Sequence, residues 1–262
     1  MKIKLKRINK IVSNDKNIES IISNIINNYI TIYETKDNIS FTINDQNYTV
    51  DCKTIIIFEY IYPDNVITYD KINKFKKLFK NHNGCVFGKG PTFINKNKLS
   101  NEIFFGINQT VNFIDCDFFC ANDLHNIYKV NDYGNIKYIL IPEYLHINGK
   151  FNIKGYWFQV YKYLKGKFNG EFIIYNLRTS LYPNNKLITI PKCKTSCNTA
   201  VNFICIFTNI KTINTYGIGV ISKDNYKNIF VGNGTYDAKR IKIIKSEMVE
   251  ISNKYDVKLV IK

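Results

Sequence analysis

Residues 85–92 read Cys85-Val86-Phe87-Gly88-Lys89-Gly90-Pro91-Thr92. Three apolar residues followed by glycine and a Gly-Pro turn describe a short buried strand and its stop. Upstream, Ile72, Phe75, Leu78 and Phe79 recur at helical spacing and end near His82, Asn83 and Gly84. Downstream, apolar runs predict strands at 103–107, 117–121 and 138–141, with helical or loop stretches between them. Toward the C-terminus, the pattern gives a buried helix at 198–210, a strand at 212–216, a helix at 238–253 and a strand at 257–261. Strands alternating with helices imply right-handed crossovers and a parallel sheet. The expected fold is therefore α/β: an open, mostly parallel Rossmann-like sheet with helices on both faces, spanning 66–262. The stretch 150–190, rich in aromatics and glycine, reads as an insertion or lid over the site.

Residues 1–65 read as a separate, small α+β element. Ile18, Ile21, Ile22, Ile25 and Ile26 predict a helix over 16–28. Short strands are expected at 2–11, 29–33, 39–43 and 48–52, with Asn44 and Asp45 in a turn.

Charge points to phosphates less strongly than its size suggests. The formal net charge is +16, but among 37 basic residues only Arg7, Arg178 and Arg240 are arginines. Lys, Asn, Ile, Tyr and Phe share A- and T-rich codons, so an AT-rich genome would produce this composition without selection for charge. Lysine neutralises phosphates but reads base edges poorly. Nucleic-acid binding is therefore expected to be weak and nonspecific.

The seven cysteines, Cys52, Cys85, Cys116, Cys120, Cys193, Cys197 and Cys205, are odd in number, and several sit in apolar runs. That predicts buried thiols in a reducing, cytoplasmic compartment. Zinc bound by Cys116, Cys120, Cys193 and Cys197 is disfavoured by their spacing. No apolar run reaches the roughly 20 residues of a membrane span, and no apolar segment follows the basic start as a leader requires.

Ligands of open parallel sheets bind beyond the carboxyl ends of the strands. There the sequence puts Gly88, Lys89, Gly90, Pro91 and Thr92, where glycine backbone and a hydroxyl could approach a phosphate. An ordinary Gly-Pro turn is the plainer alternative. Asn108 ends the second strand, and Asp123 and His125 follow the third. Asp123 or His125 is the candidate catalytic base. Ser196, Asn198 and Thr199 open a helix, as an N-cap or an anion site. Tyr216, Gly217 and Gly219 close the strand after it. Asp115 and Asp117 lie at the opposite, entry end of the third strand, where a polar strand entry explains them.

The order of these motifs, from Val86 through Phe93, Ile107 through Val111 and Asp117 through Asp123, resembles the nucleotide-binding half of sialyltransferases. Thr195-Ser196-Cys197-Asn198-Thr199-Ala200-Val201, followed by Tyr216-Gly217-Ile218-Gly219, is similar to the small sialyl motif of the animal-type enzymes. The resemblance covers under a third of the chain. It implies nucleotide phosphates against Gly88, Gly90, Pro91 and Thr92, a donor contact at Asn108, and donor contacts at Ser196 and Asn198. Asn198 stands where that family has glycine, and no histidine follows His146. The implied function is a glycosyltransferase with a CMP-sugar-like donor, a sialic-acid-like sugar, and a glycan or other hydroxyl acceptor. It requires no cofactor. Lys89 and Tyr216 would stabilise the leaving group. The same motif order resembles 6-hydroxymethylpterin pyrophosphokinases and flagellin-modifying proteins. In that alternative Asp117 and Asp123 would hold Mg²⁺ for phosphoryl transfer. A third reading is a catalytically degenerate transferase fold used as a binding module.

Overall fold

The computed structural model describes residues 3–7, 11–12, 29–34, 38–43, 46–51, 57–58, 64–147, 150–177, 187–191, 195–218 and 238–262. They fall into two compact units, Met1–Pro63 and Asp64–Lys262. In the first unit β1 (Ile3–Arg7), β3 (Tyr29–Glu34), β4 (Asn38–Ile43) and β5 (Gln46–Asp51) form an antiparallel sheet in that order. β2 (Ile11–Val12) pairs with β6 (Ile57–Phe58). The helix expected at 16–28 and the turn at Asn44 and Asp45 lie outside the described residues.

The second unit carries the expected parallel sheet. Its strands are β7 (Val66–Ile67), β8 (Asn83–Phe87), β9 (Glu102–Ile107), β10 (Phe118–Cys120), β11 (Tyr138–Pro142), β14 (Glu171–Leu177), β15 (Ile188–Ile190), β16 (Thr212–Tyr216) and β17 (Lys258–Ile261). Their order is β15-β14-β11-β10-β9-β8-β16-β17, with β7 on β14. All of these pairings are parallel. A hairpin of β12 (Tyr144–Ile147) and β13 (Lys150–Tyr156) stands apart from the sheet.

Part of the stretch read as an insertion or lid is a correction. Residues 171–177 lie inside the sheet between β11 and β15, because Phe172-Ile173-Ile174-Tyr175 is an apolar run buried on both faces. The helix before it, α3 (Trp157–Leu164), buries Trp157, Val160 and Leu164 at helical spacing.

Helices cover both faces. On one, Phe75 of α1 (Lys74–Leu78) joins Ala200, Val201, Phe203 and Ile204 of α4 (Ser196–Phe207), and Ile241, Ile244 and Met248 of α5 (Ala238–Lys254). They pack on Val86, Phe105, Phe118 and Ile213 of the sheet. Burying each of the larger side chains among them contributes roughly 1.5–3 kcal/mol. On the other face Phe119 meets Tyr133, and Phe172 meets Tyr161 of α3. There too Phe87, Phe104 and Tyr216 pack with Phe93 and Ile114.

Asp117 enters β10, as expected for a polar strand start. Its buried carboxylate accepts from Lys98 Nζ at 2.6 Å, Lys137 Nζ at 3.1 Å and the Phe104 N–H at 2.9 Å. Burial favours the neutral acid, yet these donors hold the carboxyl below its ordinary 3.8. A depressed folded-state pKa gives stability that is complete above the unfolded value and lost as pH falls through the folded one. We expect D117N to lose about 1–3 kcal/mol at neutral pH, and to show a shallower loss than the parent below the ordinary value of 3.8. Urea unfolding across that acid range checks both. An unchanged acid slope would contradict the assignment.

Candidate functional site

β8, β9 and β10 run parallel and leave the sheet at one edge, with Phe87 beside Gly106 and Ile107 beside Cys120. The chain continues from β8 to β9 on one side, while β16 is added on the other. Such a reversal of strand order is where open sheets usually open a crevice.

Here the crevice between β8 and β16 is closed by backbone. The Gly88 N–H donates to Tyr216 O at 2.8 Å, and the Gly90 N–H to Gly217 O at 2.7 Å. The Thr92 hydroxyl accepts from the Gly217 N–H at 3.0 Å and donates to Lys262 O at 2.8 Å. Gly217 has φ +69°, and a Cβ on it would lie 2.0 Å from Gly88 O. A Cβ on Gly88 would lie 2.7 Å from Gly217 O. These glycines let two strand exits cross in contact. The donors at Gly88, Gly90 and Thr92, expected to face a phosphate, are occupied within the chain. Pro91 is exposed on the turn's outer side.

The polar groups gather one strand further along, at the exits of β8, β9 and β10. Lys89, half-buried, has its ammonium pKa lowered first by burial and then by Lys129, with Asp123 acting against them. Asp123 precedes α2 (Leu124–Tyr128), which carries His125. Burial lowers the pKa of His125, Lys129 and Lys89 act in the same direction, and Asp123 opposes. The imidazole is therefore neutral at neutral pH and can take a proton. Lys89, Asp123, His125 and Lys129 form one electrostatic neighbourhood.

Two polar atoms there are buried without a hydrogen-bond partner among the described residues, His125 Nδ1 and Asn108 Oδ1. Asn108 also holds φ 56°, a conformation uncommon outside glycine although asparagine tolerates it. Thr110, two residues on, donates to Phe87 O at 3.1 Å and ties the Asn108 turn to the exit of β8. An orphaned buried acceptor costs about 1–3 kcal/mol, and strained backbone concentrates at functional sites.

The start of α4 closes the edge from above. Thr195 caps the helix, its hydroxyl accepting from the Asn198 N–H at 3.2 Å. The Ser196 hydroxyl accepts from the Asn122 N–H at 3.0 Å. Tyr175 Oη donates to Asn122 Oδ1 at 2.9 Å and lies 3.3 Å from Thr199 Oγ1. Thr199 Oγ1 also donates to Thr195 O at 3.2 Å. Cys197 keeps partial exposure, but burial pushes its thiol up to about 12, Lys89 acting against it.

Not every expected residue comes to this edge. Asn198 is buried, and its amide donates to Ile244 O and Glu247 Oε2, both at 3.3 Å, so it fastens α4 to α5. Tyr216 stacks on Phe87 at 5.0 Å in the core of the opposite face, its hydroxyl 3.5 Å from Lys262 Nζ. Asp117 and Asp123 lie beyond opposite ends of β10, so they do not form the pair required to hold one Mg²⁺. Among the described residues no three His, Cys, Asp or Glu side chains gather as metal ligands. The five described cysteines, Cys85, Cys116, Cys120, Cys197 and Cys205, are free thiols. Gly219, Cys52 and Cys193 lie outside the described residues.

Asn122, expected with Asp123 at the exit of the third strand, is there; Lys129 and Tyr175 join it without having been singled out from the sequence. Lys129 follows His125 by one helical turn, a legible spacing. Tyr175 carried no signal beyond its place in an apolar run. No helix among the described residues is long and apolar enough to cross a membrane. Compared with protein-family models, with curated proteins and with solved structures, the chain matches none.

Proposed function

We propose that the 64–262 unit binds a sugar nucleotide at this edge and transfers its sugar to a hydroxyl acceptor. The observation that carries the reading is the neighbourhood of Lys89, Asp123, His125 and Lys129 at adjacent strand exits, with His125 Nδ1 and Asn108 Oδ1 buried and unsatisfied. The acceptor oxygen attacks the anomeric carbon, and the bond from that carbon to the phosphate oxygen breaks. The acceptor proton passes to Asp123 or to neutral His125. The negative charge left on the phosphate faces Lys89 and Lys129 in a partly desolvated setting, where such pairing is strong. The sequence resemblance supports a CMP-sugar-like donor with a sialic-acid-like sugar.

Thermal shift against nucleotides and sugar nucleotides tests binding, and nucleotide release in the presence of glycan acceptors tests transfer. K89A is expected to weaken nucleotide affinity about tenfold or more, the typical worth of a hydrogen bond to a charged group. Equal affinity in K89A and the parent would contradict the reading. A second reading, a degenerate transferase fold that only binds, is favoured by the occupied donors of Gly88, Gly90 and Thr92. Binding without turnover of any donor would select it.

A further inference from the structure

Beside the same edge lies an aromatic surface that the transfer chemistry does not use. Tyr128 is 46% exposed. It ends α2 three residues after His125, a spacing that puts both on one side of the helix. Lys129, which acts on Lys89 and on His125, is the next residue and is exposed. Tyr163 of α3 braces Tyr128 edge to face, with centroids 4.6 Å apart and planes at 82°. Lys167 Nζ sits 3.8 Å from the Tyr163 centroid. Lys165 is exposed nearby in sequence.

A single exposed tyrosine is ordinary. This one is oriented by a second ring, which itself carries Lys167, and is joined by α2 to the polar edge. An exposed ring on the same short helix as His125, next to an edge that holds Lys89 and Lys129, fits a ligand that is flat at one end and anionic at the other. We propose that Tyr128 is the stacking platform for the nucleobase of a nucleotide whose phosphates face Lys89 and Lys129. The inference rests on the nucleotide reading above and adds the subsite that holds the base. Stacking does not read base edges, so the platform holds the cytosine of a CMP-sugar-like donor and other bases alike, and discrimination among bases should be small.

Calorimetry with pyrophosphate, CDP and ADP, on the parent, Y128A, Y128F and K89A, separates the two claims. The parent should bind ADP more tightly than pyrophosphate. Y128A should lose roughly 5- to 100-fold in ADP affinity, the span expected for one lost stacking contact, while its pyrophosphate affinity holds. Y128F should keep ADP binding, and K89A should weaken all three ligands. If Y128A binds ADP like the parent, the platform is wrong and the phosphate reading stands. If the parent binds neither pyrophosphate nor nucleotides, the nucleotide reading fails and the platform with it.

Discussion

Gly217→Ala is expected to destabilise the 64–262 unit on the order of 3 kcal/mol or more. Two costs combine there. The backbone has φ +69°, and the added Cβ would sit 2.0 Å from Gly88 O and 2.7 Å from its carbonyl carbon. Backbone cannot yield as a side-chain end can. Gly166→Ala is the internal control, because Gly166 has φ +80° with nothing within 4 Å of its Cβ position. It carries the conformational cost alone, roughly 1 kcal/mol. Thermal unfolding of both variants isolates the price of the close crossing. A loss in G217A no larger than in G166A would show that the two strand exits do not cross in contact.

Asp123→Asn is expected to lower turnover about 10²- to 10⁴-fold if Asp123 is the base, with nucleotide affinity kept within a few-fold. The amide preserves shape but cannot accept the acceptor's proton as the carboxylate does. His125→Gln separates the roles. If D123N turns over normally while H125Q loses the rate, the neutral imidazole is the base and Asp123 takes no part in the proton transfer. If both variants keep the parent rate, neither acts as the base and the proposed chemistry fails. Single-turnover kinetics with saturating donor reads the chemical step apart from binding.

The sheet was legible where short apolar runs met a glycine or a polar stop. Cys85-Val86-Phe87 ahead of Gly88, and Thr212–Tyr216 ahead of Gly217, became neighbouring parallel strands. The run Phe172-Ile173-Ile174-Tyr175 was equally apolar, but the aromatics and glycines around it masked its strand character. Val66–Ile67 was beyond reach, since two residues have no period and its pairing with β14 is settled only by tertiary structure. The candidate site was legible as a cluster of residues at one edge more than as a set of contacts. Topology brought Lys89, Asn108, Asp123 and Ser196 to one edge. Spacing could not tell that the turn glycines would bond to each other, that Asn198 would turn toward α5, or that the Tyr216 ring would fill the opposite core. Those outcomes depend on which chain crosses which, information carried by β16 and α5 far along the sequence.

The chain has three histidines, His82, His125 and His146, so a histidine-selective nuclear magnetic resonance titration yields three assignable imidazoles. His82 precedes β8 and lies at the entry side of the sheet, packed against Phe79 with centroids 6.1 Å apart. Adding a sugar nucleotide should shift the His125 ring resonances saturably, leave His82 unmoved, and lose its effect in K89A. A nucleotide that leaves His125 unmoved, or moves His82 instead, would contradict a nucleotide site at this edge.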